Sequence, residues 1–419
     1  MTTATVVHAH EETADRGSVS RDHRLVRRHA VLRLLADHMR EGRIRFIVGD
    51  DSIVVGPGRP GERNVTVRVY RERMFRAIAA AGNLGLGEAY MDGDFEVEVG
   101  TLEDFVAILL RNRLDEAIKT DPVVLLRVLL QRAQAVLRGK RDNIHRHYDL
   151  GNDLFESFLD SSLTYSCGYA QTVDDDVDQL QRQKLDRICQ KLRLRRDETL
   201  LDIGCGFGGL LLHAAQNYGI KGKGITISDE QFKLGNARIG AAGLDGRIQI
   251  VSEDFTRCSG QYDKVVSVGM MEHVPRKEYG VYFRQIRERL REGGLGLVHA
   301  LGCNAARNVH DPFIQKYVFP ASNQPRLSEI ARGLEQNKLA ILDVENMIRH
   351  YALTGRRWLE RFEQNVSRLD AGKYDERFKR MWRYYFACGI AATDNGSDTA
   401  LYQVLFTTYR ADHPTLHRV

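Results

Sequence analysis

The chain has 419 residues, 43% hydrophobic and 28% charged, with a formal net charge of +5. That length exceeds what one hydrophobic core usually serves, so two domains are expected in an ordinary globular composition. The small charge, with no aromatic residues interleaved among basic clusters, argues against nucleic-acid binding; the lack of both a membrane-length apolar run and a secretion signal favours the cytoplasm.

Residues 1–22 are polar and without periodicity, which predicts a disordered tail. From Arg24 to Glu41 the apolar positions Leu25, Val26, Ala30, Leu32, Leu35 and Met39 recur at helical spacing. Two alternating runs follow, RIRFIVGDDSIVVG and NVTVRVY, separated by the turn-rich PGRPGERN, and then the helical pattern RERMFRAIAAAG. In NLGLGEAYMDGDFEVE, Gly85 and Gly87 mark tight backbone and Met91 to Asp94 a turn. TLEDFVAILLRNR opens on an N-cap Thr101 with Glu103 and Asp104 in its first turn, a helix start. Together these make residues 23–120 a small α+β domain.

Residues 121–145 begin with the N-cap and first-turn pair Asp121 and Pro122 and mix Leu and Val with Arg127, Arg132, Arg138, Lys140 and Arg141. This basic amphipathic helix suits either a bilayer surface or a plain connecting role. From Asn143 on, NIHRHYDLGNDLFESFLDSSLTYSCGYA gathers His, Tyr, Asp, Asn and Cys in one stretch, which suggests a site. The six cysteines lie far apart without CxxC spacing, against structural zinc or a disulfide framework, so no metal is expected.

The helix QLQRQKLDRICQKLRL leads into TLLDIGCGFGGL, an apolar strand closing on Asp202, a glycine turn and a helix start. Such a turn lets the main chain approach a ligand at the helix N-terminus. Beyond it KGKGITIS, RIQIVSED, YDKVVSVGM, GGLGLVHAL, LAILDVEN and ALYQVLFTTYR read as strands with helical patterns mostly between, a doubly wound α/β sheet across 146–419. A helical insertion at about 349–390 interrupts the last two strands.

A dinucleotide would set its pyrophosphate on the glycine turn. Asp202 at that mouth repels pyrophosphate and attracts a ligand carrying an ammonium and a sulfonium, the charge pattern of S-adenosylmethionine. Glu253 and Asp254 end the third strand of this sheet, where an acid accepts from the adenine amino group in such folds. The second strand ends Thr226, Ile227, Ser228 before Asp229, which leaves a ribose to Gln231 or main chain.

LGLGEAYMDGDF, HYDLGNDLFESFLDSSLTYSCGYA, LLDIGCGFGGL, GITISDEQ, SVGMMEHV, LVHALG and HYALTGRRWLERF, in this order, together resemble the cyclopropane-fatty-acyl-phospholipid synthase family, which includes the mycolic acid cyclopropane synthases. The resemblance implies a Rossmann-like class I methyltransferase domain with a seven-stranded sheet, behind a smaller N-terminal domain that engages lipid. It implies methylene transfer from S-adenosylmethionine to a cis double bond of a phospholipid acyl chain, through a carbocation deprotonated by bound bicarbonate.

On the matching positions, bicarbonate is held by Cys167, Glu272, His299, the Leu301 main chain and Tyr351. The cofactor pocket is formed by Tyr165, Ser166, Asp202, Gly204, Gly206, Thr226, Ile227, Gln231, Glu253 and Asp254. Each also has a plain alternative, such as an inert buried thiol at Cys167 or a core imidazole at His299. The family further implies a homodimer docked peripherally on the inner face of the membrane.

Rival outcomes are a lipid methyltransferase giving methylene- or methyl-branched chains, and a small-molecule N-methyltransferase. Phe207 stands where the family usually has Trp, Ala321 and Ser322 where it has paired glycines, and Gly355 where it has Leu. The last two departures fall near the expected acyl channel.

Overall fold

The computed structural model describes residues 25–26, 29–113, 151–304, 311–320, 322–394 and 398–409. The tail at 1–22, the amphipathic helix at 121–145, the opening of the polar stretch at 143–150 and Ala321 lie outside these residues.

The first sheet holds β1 (Arg43–Val48), β2 (Asp51–Val55), β3 (Asn64–Val69) and β4 (Phe95–Val99) in the order β2-β1-β3-β4. Alternation in RIRFIV turns Ile44, Phe46 and Val48 inward while Arg43 and Arg45 face solvent. Phe46 meets Phe75 and Phe105 edge-on, at ring distances of 5.6 and 6.1 Å. The expected N-cap at Thr101 forms, its hydroxyl accepting from Asp104 N at 3.0 Å.

The Met91 to Asp94 turn forms as expected, and one feature differs from the sequence reading. Gly85 and Gly87 sit inside a helix, Asn83–Met91, and β4 follows the Met91 to Asp94 turn. The glycines serve helix packing: a Cβ on Gly85 would stand 2.0 Å from Ala77 O on the preceding helix.

The second sheet has seven strands in the order β10-β11-β9-β8-β5-β6-β7. They are β5 (Thr199–Ile203), β6 (Lys221–Thr226), β7 (Ile248–Ser252), β8 (Tyr262–Val268), β9 (Leu290–Cys303), β10 (Leu339–Asn346) and β11 (Thr399–Thr408). β7, β6, β5, β8 and β9 run parallel, and β11 pairs antiparallel with β9 and β10. This is the Rossmann-like methyltransferase sheet, and the order reverses between β5 and β8, where such sheets open a crevice at their carboxyl ends.

The helices Ile348–Asn365 and Glu376–Asp394 run between β10 and β11. Their Trp358, Phe362, Trp382 and Phe386 join Phe46, Phe75 and Phe105 in one continuous hydrophobic cluster. Gly355 lies in this packing, where a Cβ would stand 2.8 Å from Ile390 Cγ1. Its departure from the family pattern therefore bears on a helix crossing.

The helix Val177–Lys191 starts on a capping box, Asp176 accepting from Gln179 N and Gln179 from Asp176 N. Asp176→Ala is expected to cost about 1 kcal/mol. Thermal melting should read it as a small drop in the transition midpoint.

Candidate active site

β5 is buried along Leu200, Leu201 and Ile203, as a central parallel strand requires, and it delivers Asp202 and the glycine turn to the crevice. Gly204 turns at φ 79°, where a Cβ would stand 2.7 Å from Met270 Cγ. Gly206, with no atom within 4 Å of where a Cβ would stand, presents bare backbone to the cavity. Gly208 then leads into the helix Gly209–Tyr218.

A cavity of about 520 Å³ opens here, and all fifteen residues singled out in the sequence line it. They fall into the expected cofactor group and the expected bicarbonate group. Around the turn, the Thr226 hydroxyl donates to Gln231 Oε1 at 2.7 Å, which leaves the Gln231 amide NH₂ for other partners. Glu253 is ion-paired with Lys223 at 2.6 Å, whereas Asp254 Oδ1 accepts from the amide and hydroxyl of Thr256. Ile227 is 79% exposed at the rim. Asp202 is buried, its Oδ1 has no hydrogen-bond partner among the described residues, and burial pushes its carboxyl up to about 7 against the opposing charge of Lys184. A buried acid with an unpartnered oxygen, beside bare glycine backbone, fits a ligand with a cationic amino-acid end, so the residues present fit S-adenosylmethionine.

The second group comes from four other segments. Glu272 follows β8 in a short turn, and its Oε1 accepts from Leu301 N of β9 at 2.5 Å. Glu272 Oε2 is buried without a partner among the described residues, and burial pushes the carboxyl up to about 7. His299, two residues before Leu301, is buried and held neutral, its pKa lowered to about 3 chiefly by desolvation. With Gln403 Nε2 placed as donor to His299 Nδ1 at 3.1 Å, the ring proton falls on Nε2, a second orphan.

Cys167 donates to Gly168 O at 3.1 Å and lies 3.9 Å from Thr354 Oγ1; burial pushes its thiol up to about 12. Tyr351 stands edge-on to Trp358 at 6.0 Å, and burial raises its phenol well above the usual range. Tyr165 OH donates to Tyr385 OH at 2.9 Å, with its ring against Phe155, Phe158 and Trp358. Ser166, beside it, is buried.

Sequence reasoning missed Lys184, Phe319 and Asn323, which share this wall. Asn323 donates through its backbone N to Glu272 O at 2.8 Å and through its side chain to Val274 O at 2.9 Å, which fixes the turn bearing Glu272. Only Lys184 left a signal: a lysine on the apolar face of the helix that carries Leu180, Leu185 and Ile188.

Residues 136–403 match the family described as mycolic acid cyclopropane synthetase. The chain belongs to this family. It is 37% identical over 350 residues to the cyclopropane-fatty-acyl-phospholipid synthase of Escherichia coli (strain K12), covering 83% of this chain and 89% of that protein. It is 35% identical over 356 residues to a probable fatty acid methyltransferase of Pseudomonas putida, covering 83% of this chain and 88% of that protein.

The mycolic acid cyclopropane synthase CmaA1, solved in complex with SAH and CTAB, superposes with a TM-score of 0.57 at 25% identity. It covers 62% of this chain and 96% of its own. As a member of the synthetase family the chain is an S-adenosylmethionine-dependent methyltransferase that modifies lipid.

Proposed function

We propose that this protein is a cyclopropane fatty acid synthase acting on the cis double bonds of unsaturated phospholipid acyl chains. The single observation behind this reading is the cluster of Cys167, Glu272, His299, Leu301 and Tyr351 on the wall of the same cavity as the glycine turn. A methyl transfer alone needs no such polar cluster. Deprotonating the new methyl carbon does, and a small hydroxylated anion such as bicarbonate matches its unpartnered atoms.

When bound, S-adenosylmethionine supplies the methyl group taken up by the double bond, and bicarbonate the base that removes its proton as the ring closes. The protein positions and shields these events. His299 Nε2–H and the Tyr351 hydroxyl donate toward an anion, and Glu272 Oε2 accepts its hydroxyl hydrogen. Leu301 N holds Glu272 through Oε1, so the carboxylate keeps its aim. Excess negative charge in a buried cavity favours a cation developing on the acyl chain. The aromatic wall of Phe155, Phe207, Phe319 and Tyr165 suits a hydrocarbon substrate.

The family resemblance extends this reading to a homodimer in the cytoplasm, docked peripherally on the inner face of the membrane. No described helix is long and apolar enough to cross a membrane.

The match to a fatty acid methyltransferase supports a second outcome, a methylene- or methyl-branched chain without a ring. Incubation of the protein with S-adenosylmethionine and vesicles of monounsaturated phospholipid, followed by proton NMR of the released fatty acids, separates the two. Upfield ring-methylene signals are the expected result. Vinylidene or branched-methyl signals alone would overturn it.

A further inference from the structure

Lys184 has no exposed surface and lines the cavity from the helix Val177–Lys191. Its neighbours Leu180, Leu185 and Ile188 on that helix are buried apolar residues. An ammonium there loses hydration and destabilises the fold unless its partners need it.

Two sets of contacts define its place. Lys184 Nζ donates to Ser166 Oγ at 2.9 Å, and one turn earlier Gln181 Nε2 donates to Ser166 O at 2.7 Å. Tyr169 N donates to Leu180 O at 2.8 Å. One face of this helix thus grips residues 166–169, the strap that carries Cys167. The titratable groups facing the ammonium are Asp160 and Cys167 from the loop, Asp202 at the end of β5, His299 on β9 and His213 on the helix Gly209–Tyr218. Lys184 supplies the charge that opposes burial at Asp202, whose Oδ1 is unpartnered among the described residues.

We propose that Lys184 is a positioning residue with two tasks: through Ser166 it sets the strap bearing Cys167, and through its charge it favours the ionised form of Asp202 toward the cationic end of S-adenosylmethionine. This rests on the cofactor and is independent of whether the acyl product is a ring or a branch. The direction of the effect follows from burial. Without the ammonium, desolvation alone acts on Asp202 and drives its carboxyl higher still. A protonated Asp202 no longer attracts the ligand's ammonium, so affinity falls at a higher pH than in the native protein.

The test uses the full-length protein and S-adenosylhomocysteine, titrated calorimetrically from pH 5.5 to 7.5 for the native protein, below the point near 8 where burial lets Lys184 shed its own proton, and from pH 6 to 8.5 for the variants, with a thermal melt of each. Native protein is expected to gain affinity as pH rises through the Asp202 titration. In Lys184→Met the midpoint moves up by about one unit or more, which lowers affinity at neutral pH about fivefold or more. Lys184→Gln keeps a donor toward Ser166 without the charge and shows the same shifted midpoint; it decides the matter if the Met variant does not fold. Ser166→Ala keeps the native midpoint but lets Cys167 react faster with iodoacetamide. A uniform loss of affinity with an unmoved midpoint in the lysine variants overturns the charge role. Unchanged labelling of Cys167 in Ser166→Ala overturns the strap role.

Discussion

Glu272→Gln is expected to lower kcat by at least about 10²-fold while leaving S-adenosylhomocysteine affinity within about twofold of native. The variant keeps the shape of the site, because the amide oxygen still accepts from Leu301 N where Oε1 does now, at 2.5 Å. It changes the other atom. Oε2, buried and unpartnered among the described residues, becomes an NH₂ that donates where an anion's hydroxyl needs an acceptor.

Burial pushes the native carboxyl up to about 7, so its ionised fraction grows between pH 6 and 8, and native kcat should climb over that interval. The Gln variant loses this limb of the profile. Stability moves the opposite way. A folded carboxyl raised above its ordinary 4.5 favours the native state at low pH and loses that advantage as pH rises toward 7. At pH 8 the Gln variant should therefore melt at or above the native temperature. Full turnover in the variant, or a lost turnover accompanied by a lower melting temperature, would refute the role given to Glu272.

The doubly wound sheet, the glycine turn and the helix start at Thr101 were legible because each rests on local signals: buried apolar runs, clustered glycines and an N-cap residue. The cavity residues were legible for another reason. They stand in short motifs at strand ends, and a doubly wound sheet brings its carboxyl ends together whatever the connecting helices do. The second group, from Cys167 to Tyr351, was drawn from family resemblance; spacing alone does not say that residues over 180 positions apart meet.

What stayed illegible is tertiary. The glycines of LGLGEAYMDGDF read as tight backbone because a helix carrying two glycines is a poor helix on propensity. Their purpose depends on Ala77 and Phe313, which no local pattern reveals. Lys184 reads as one more charge on an amphipathic helix until Ser166 and Asp202 are seen beside it. Asn323 acts through a turn some fifty residues away in sequence.

Gly87 carries the other large prediction, because it joins the first sheet's domain to the cavity wall. A Cβ there would stand 2.4 Å from Phe313 Cδ2 and 2.7 Å from Tyr384 Cε1, and both rings are fully buried and packed edge-on at 4.7 Å. Neither ring has room to retreat. Tyr384 OH donates to Asn83 Oδ1 at 2.6 Å, Asn83 Nδ2 donates to Asp311 Oδ2 at 2.8 Å, and Glu88 accepts from Lys316 and Tyr317 at 2.6 and 2.8 Å. The helix Asn83–Met91 is thereby clamped to residues 311–317, whose chain continues into Phe319, Ser322 and Asn323 on the cavity.

Gly87→Val is expected to destabilise by about 1–3 kcal/mol through overpacking. Because Asn323 N bonds Glu272 O, the displacement also reaches the turn bearing Glu272, so kcat should fall together with the melting temperature. The control is Gly389→Ala on the helix Glu376–Asp394, where a Cβ meets nothing within 4 Å. That exposed helical glycine should tolerate alanine with a gain of about 0.5–1 kcal/mol. Thermal melts and turnover on both variants test the coupling: a Gly87→Val protein that melts lower yet turns over normally would show that the clamp holds the fold together without shaping the site.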